Sequence, residues 1–290
     1  MLKIALITNF NIPEKASAAS RVADRLLEED CRILVASYNR EKLERLHKHR
    51  EEFCYLPLDT LYSEADILIV MGGDGTILEA ARRASQRGTP ILGINMGRLG
   101  YMAELEMREL DQLHRLFTGE YELEKRSMLR VELRAQNGEL RSFCYALNDA
   151  VISNGSVSRI IDLELSESGT PVTTYRADGL IIATPTGSTA YSLAAGGAII
   201  DPRLCCLCVT PICPHSLYAR PMVFPDSASL EIKNVCQREK NLYLTVDGRV
   251  NYDLTYGEIV RVTRSPLCTS FIRLKEGSFY DRLRQKMNDK

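Results

Sequence analysis

The chain has 290 residues, 45% of them hydrophobic and 26% charged, with a formal net charge of −1. That length accommodates two domains or one large one around a sizeable core, and the near-neutral balance gives no electrostatic basis for binding nucleic acid or a lipid surface. No apolar run approaches the roughly 20 residues of a membrane-spanning helix, and residues 1–8 read as a first strand rather than a secretory signal, so a cytoplasmic location is expected.

Through residue 121 the pattern alternates strand and helix, the signature of a parallel sheet with helices on its faces. Strands are predicted at 3–8, 31–36, 66–71 and 90–95. A helical stripe of Ala19, Val22, Ala23, Leu26 and Leu27 falls between the first two, and a charged surface helix spans 40–52. A further helix runs from Thr76 to about residue 87 on Ile77, Leu78, Ala81 and Ala84, and a short one covers 108–117. Beyond residue 121 the texture is β. Strands at 129–135 and 140–147 flank the Asn137-Gly138 hairpin signal. Others follow at 160–166, 172–176, 180–184, 204–210, 229–234, 242–246, 258–263 and 270–274, which predicts a β-sandwich. Residues 278–287 return to helical spacing on Phe279, Leu283 and Met287. The expected division is 1–121 with 276–290, and 122–275.

The nine cysteines are odd in number and irregular in spacing, so free buried thiols are expected. Cys205 and Cys208 have C-x-x-C spacing, but no second such pair or His pair completes a zinc set. As a strand, this stretch puts Cys206 and Cys208 on one face and Cys205 on the other.

The sharpest signal is Gly72-Gly73-Asp74-Gly75-Thr76, a turn from a strand buried on both faces into a helix. The glycines are expected to supply positive φ and close backbone approach, and a helix start favours phosphate. It is not a Walker loop, because no Lys-Ser or Lys-Thr follows, and it lacks the dinucleotide G-x-G-x-x-G. Asp74 is the odd element, since an anion at a phosphate site is unfavourable unless it takes a proton or holds a metal. A strand–helix connection capped by Asp or Thr is the alternative. A second glycine segment runs from Asp178-Gly179 through Pro185-Thr186-Gly187-Ser188-Thr189-Ala190-Tyr191-Ser192, with a short helix at 190–195 stopped by Gly196-Gly197. Its hydroxyls and N–H groups suit ribose or phosphate, and Tyr191 could stack on a base; a Ser/Thr-capped helix with a core tyrosine is the plain alternative. Asn148-Asp149 is predicted to close a strand and offer acceptors to ribose hydroxyls; taken alone, such a pair is more often a turn. His215, in a Pro-rich turn, reads as structural, and Arg98-Leu99-Gly100-Tyr101 follows the 90–95 strand toward the sheet edge where ligands bind.

In combination these segments resemble the NAD kinase family. The resemblance rests on Gly72-Gly73-Asp74-Gly75-Thr76, Gly93-Ile94-Asn95-Met96-Gly97-Arg98-Leu99-Gly100, Asn148-Asp149 and the run from Asp178 to Gly197. Thr210-Pro211, Arg220-Pro221 and Asp247-Gly248-Arg249 complete it. The glycine turn alone is shared with diacylglycerol and sphingosine kinases; the Thr-Pro-Thr-Gly-Ser-Thr-Ala-Tyr-Ser segment narrows the match. The resemblance implies an N-terminal α/β domain with a parallel sheet and a C-terminal β-sandwich, with the last helix returning to the first domain. It implies phosphorylation by ATP, carried with a divalent cation such as Mg²⁺, of the adenosine-ribose 2′-hydroxyl of NAD, in a homodimer or homotetramer. Carried over, Asp74 is the proton acceptor, with Gly72, Gly73, Gly75 and Thr76 around it. Asn148 and Asp149 hold adenine and ribose groups. Arg159, Arg176, Asp178, Thr189, Ala190, Tyr191, Ser192, Leu193, Ala194 and Arg249 contribute to the NAD site. Asp149 stands where many relatives have Glu, Ala194 where Ser is common, and Arg249 where Gln or Asn is common. A lipid or sphingoid kinase, or a non-catalytic NAD sensor, are the alternatives.

Overall fold

The computed structural model describes residues 1–46, 52–97, 100–155, 160–237 and 242–288. The chain divides into two units, Met1–Lys125 with Thr269–Lys290, and Arg126–Cys268.

In the first unit, β-branched and leucine-rich runs form a parallel sheet in the order Phe53–Leu56, Cys31–Ala36, Leu2–Ile7, Ile67–Gly72, Ile91–Asn95. The order reverses between Leu2–Ile7 and Ile67–Gly72. In open α/β sheets a crevice opens at the carboxyl ends of the strands at such a reversal, and Gly72 lies at the carboxyl end of one of these two. Every residue of Ile67–Gly72 is buried, as its unbroken apolar run requires. Helix Pro13–Leu26 buries Ala16, Ala19, Val22, Ala23 and Leu26 against the sheet core. Helix Asp74–Ala84 buries Ile77, Ala80, Ala81 and Ala84, so Ala80 takes the place expected of half-buried Leu78. The helix expected at 40–52 is observed over Arg40–Leu46, and residues 47–51 lie outside the described residues. Strand Phe53–Leu56 and helix Leu58–Glu64 are additional to those expected; both are shorter than the window over which periodicity is read. The helix expected at 108–117 is a 3₁₀ turn, Leu110–His114, followed by Arg115–Thr118, which ends at Gly119 with φ +75°.

The terminal helix Phe279–Asn288 belongs to this unit and is fastened by a buried charge cluster. Glu104 accepts the backbone amides of Leu274 (3.0 Å) and Lys275 (2.9 Å), and Arg273 Nη1 lies 3.1 Å from its Oε2. Arg273 Nε reaches Glu124 at 2.5 Å, while Arg282 on the helix lies 4.0 Å from Glu104 and 3.8 Å from Glu124. Removing one member of a buried ion cluster leaves uncompensated charge. Glu104→Ala is therefore expected to cost about 3–5 kcal/mol of stability. A denaturant midpoint shifted by less than a fifth of the wild-type value would contradict this.

The second unit has two mainly antiparallel sheets. One runs Met222–Pro225, Cys206–Ile212, Gly179–Ala183, Asp149–Asn154, Leu242–Val246, Val250–Leu254. The other contains Thr170–Ala177, Ile161–Glu167, Leu230–Asn234 and the start of Ile259–Arg273, together with the hairpin of Glu122–Arg134 and Leu140–Ala146. Alternation builds the core: Ala150, Ile152, Leu180, Ile182, Leu207 and Val209 of the first sheet pack with Leu163, Leu165, Leu230, Ile232, Val260 and Val262 of the second. On the opposite face, Val151, Ile181, Ala183 and Cys208 gather Ala195, Ile200 and Cys206. Cys206 and Cys208 thus share a face as expected, and all nine cysteines are free thiols, but only Cys208 and Cys236 are buried, while Cys205 and Cys213 are exposed.

Two expectations are corrected here. Asn148-Asp149 does not close a strand; Asp149 opens the next one, Asp149–Asn154, because no Gly or Pro separates it from Leu140–Ala146. The strands expected at 258–263 and 270–274 are one strand, Ile259–Arg273, in which Pro266 is tolerated because it faces outward. Strands Met222–Pro225 and Val250–Leu254 are additional to those expected; both alternate in burial but are only four and five residues long.

Candidate active site

In the first unit the site is built at the carboxyl end of Ile67–Gly72. Helix Asp74–Ala84 begins there with Gly73 as its N-cap and no side-chain cap, so the capped-connection alternative does not describe the turn. Instead the Asp74 carboxylate turns away from its own helix. Its Oδ2 accepts the amide of Tyr101 at 3.1 Å and its Oδ1 that of Met102 at 3.3 Å. Gly100 leaves the space this requires, because a Cβ there would overlap the Asp74 carboxylate. Gly72 does the same for Thr76, whose Oγ1 would lie 2.6 Å from an added Cβ. The expected positive φ at Gly72, Gly73 and Gly75 is not found: none of the three is left-handed, and Gly73 is extended at φ −89°. Gly72 is explained by close approach, not by backbone hand, and a Cβ on Gly73 would meet nothing.

In the second unit a separate polar cluster centres on Asp247, which the sequence marks only as part of Asp247-Gly248-Arg249. It sits in the hairpin turn joining Leu242–Val246 to Val250–Leu254, at φ +49° and followed by Gly248 at φ +67°. Its carboxylate accepts the amides of Leu147 (2.9 Å), Asn148 (2.8 Å) and Asp149 (3.1 Å), and its own amide donates to the Asp149 carbonyl at 3.0 Å. The Asp-Gly pair signals a tight turn; only the folded chain shows its carboxylate bonding to an amide 100 residues earlier. Arg249 is exposed in the same turn.

Thr184 ties in the second glycine segment, donating from its backbone to the Asn148 carbonyl at 2.9 Å and from Oγ1 to the Leu147 carbonyl at 2.6 Å. Gly187 packs so tightly on the Asn148 backbone that a Cβ would lie 2.8 Å from the Asn148 Cα. The turn continues as Gly187–Thr189 and helix Tyr191–Ala194, neither with a side-chain cap, and Gly196 closes it at φ +87°. Tyr191 and Ala194 are exposed, and Thr189, Ala190 and Leu193 are half-buried. Ser192 differs: it is buried, its hydroxyl 2.9 Å from that of Thr210, so it braces the turn from inside.

Asn148 and Asp149 are both buried, and Asn148 Oδ1 has no hydrogen-bond partner among the described residues. A buried acceptor without a donor is costly unless a ligand supplies one. Burial and, second, the Asp247 carboxylate push the Asp149 pKa up from 3.8 to about 7. A carboxyl raised in the folded state stays protonated while the unfolded chain ionises, so this group's contribution to stability falls as pH rises from about 4 to about 7. Asp149→Asn is expected to gain stability relative to wild type between pH 4 and pH 8, by about 4 kcal/mol at the limit. Equal differences at the two pH values, by thermal or urea unfolding, would refute it.

Arg176 and Asp178 are not brought to this end. Gly179 pairs with Ser153 and Ala183 with Asp149, and the Asp178 carbonyl accepts the Asn154 amide. Asp178 therefore stands five residues along the ladder from Asp149, about 17 Å away. His215 is exposed, and its backbone amide donates to the Arg176 carbonyl at 2.9 Å. Arg159 lies outside the described residues, as do Arg98 and Leu99.

Residues 4–121 match the model of the ATP-NAD kinase N-terminal domain and residues 147–274 that of the C-terminal domain. The NAD kinase of Geotalea daltonii is 38% identical over 288 residues, 99% of this chain and 98% of that protein. That of Carboxydothermus hydrogenoformans is 44% identical over 233 residues, 80% and 82% of the two chains. Among solved structures, an NAD kinase from Archaeoglobus fulgidus in complex with ATP aligns with a TM-score of 0.69 at 26% identity, over 98% of this chain and 97% of that one. Yeast NADH kinase complexed with NADH shares the fold, with a TM-score of 0.90 at 24% identity over 100% and 89%. With both domain models matched in order and relatives collinear over nearly every residue, the chain belongs to the NAD kinase family.

Proposed function

We propose that this NAD kinase transfers the γ-phosphate of ATP to the 2′-hydroxyl of the adenosine ribose of NAD, with Asp74 as the proton acceptor. The observation that carries this reading is the Asp74 carboxylate, fixed by two amides at a helix start where the sheet order reverses. A ribose hydroxyl is too weak an acid to attack phosphorus at neutral pH without a base that takes its proton as the P–O bond forms. An ionised carboxylate has about four lone-pair positions; two are used by Tyr101 and Met102, which leaves capacity for the hydroxyl. The remaining barrier is one of alignment and charge neutralisation.

The second unit would supply the coenzyme contacts. Asn148 Oδ1 suits an amino donor such as that of adenine, and Asp149 suits ribose hydroxyls, with Asp247 holding both backbones in place. Thr189, Ala190, Tyr191, Leu193, Ala194 and Arg249 would line the same end, and Ser192 would act from within. Arg176 and Asp178 are too far along the ladder to share the Asp149 contact, which favours their serving another part of the coenzyme or the site of a second copy in a homodimer or homotetramer. Mg²⁺ would arrive bound to the phosphates of ATP: among the described residues no group of three or more His, Cys, Asp or Glu side chains converges to hold one. No described helix is long and apolar enough to cross a membrane, and we place the enzyme in the cytoplasm. The test is NADP formation from NAD and Mg-ATP, read by an NADP-specific dehydrogenase. NADP at a rate linear in enzyme is expected; ATP hydrolysis without NADP would overturn the proposal.

A further inference from the structure

An anionic base at a phosphate site has to coexist with the anion it serves, and the glycine turn offers no cation of its own. The terminal helix does. Lys286 Nζ lies 3.9 Å from Asp74 Oδ2 and 3.7 Å from the centroid of the Tyr101 ring, the residue whose amide binds that same oxygen. One turn earlier on this helix, Arg282 is keyed to Glu104 and Glu124, so the helix is held at the phase that presents Lys286 to Asp74. The ammonium is half-buried, and loss of hydration pushes its pKa down while Asp74 opposes that shift. At 3.9 Å it is beyond a hydrogen bond to the carboxylate, and its three donors are not consumed there.

Resting on the function proposed above, we infer that Lys286 is a positioning residue for phosphoryl transfer, a counter-ion shared between the Asp74 carboxylate and the phosphates of the incoming nucleotide. Without it, the Asp74 carboxylate and the γ-phosphate repel each other; with it, a cation stands beside both anions as the donor approaches. The aromatic face of Tyr101 fixes the ammonium without adding a negative charge that would compete with the phosphate.

The inference predicts a division between the two substrates. In Lys286→Met, kcat/KM for ATP should fall roughly thirtyfold or more, through both a lower kcat and a higher KM for ATP. NAD affinity by calorimetry should stay within about threefold, and the melting temperature should be unchanged. Lys286→Arg, which keeps the charge, should recover most of the lost activity. The inference is overturned if the Met variant keeps more than half of wild-type kcat/KM for ATP. It is equally overturned if Met weakens NAD binding and thermal stability as much as turnover, or if Arg is no better than Met; each result marks a purely structural lysine. Wild-type enzyme forming no NADP in the same assay would remove the underlying function, a result distinguishable from active wild type with an indifferent Lys286 variant.

Discussion

Asp74→Asn is expected to lower kcat for NADP formation about a thousandfold or more while changing the NAD dissociation constant by less than about tenfold. The amide is nearly isosteric with the carboxylate, but it cannot accept a proton at any working pH. Its oxygen can keep one of the two amide contacts, and its NH₂ would face the N–H of the other, so the side chain loses a tether as well as its basicity. NAD binding should survive, because the proposed adenine and ribose contacts at Asn148 and Asp149 are not disturbed. The measurement is single-turnover NADP formation beside equilibrium NAD titration. A variant retaining more than a tenth of the wild-type rate would remove Asp74 from proton transfer.

Asp247 is the second position where a single atom change should matter greatly. Asp247→Ala strips the acceptor from three amides and puts a Cβ-bearing residue without a local polar partner at φ +49°. A buried unsatisfied donor costs about 1–3 kcal/mol, so the loss should total about 4 kcal/mol, and NAD affinity should fall tenfold or more as Asn148 and Asp149 lose their register. Asp247→Asn separates the causes. Asparagine tolerates the left-handed conformation and keeps one acceptor oxygen, but it removes the charge that helps raise the Asp149 pKa. The Asn variant should lie between wild type and Ala in stability, and its Asp149 should titrate below about 7. Urea unfolding, NAD titration and carboxyl-carbon NMR read the three quantities. An Ala variant within about 1 kcal/mol of wild type and with unchanged NAD affinity would show that the turn does not organise the site.

Both effects depend on groups that differ in how far they can be read from sequence. Asp74 is legible because its chemistry is local: glycines, a buried strand before it and a helical stripe after it lie within about a dozen residues. Longer strands were legible for the same reason, since the unbroken apolar run of Ile67–Gly72 and the period-two burial at Ile161–Glu167 or Leu242–Val246 are written in consecutive side chains. Short elements such as Phe53–Leu56 were not, because four residues carry too little periodicity. The end of a strand at Asn148-Asp149 was misread because two strands meet there with no breaker residue between them.

Sequence by itself determined the α/β-then-β organisation, the candidate base, the candidate coenzyme segments and the family. What only tertiary structure decided are the partners of those residues: the Tyr101 and Met102 amides on Asp74, the three amides on Asp247, the separation of Asp178 from Asp149 along the ladder, and the approach of Lys286 to the base. Backbone pattern is set by neighbours a few positions apart, whereas a carboxylate takes whichever donors the folded chain brings within about 3 Å. Those donors lie from 27 to 100 residues away, a range over which no local periodicity carries information.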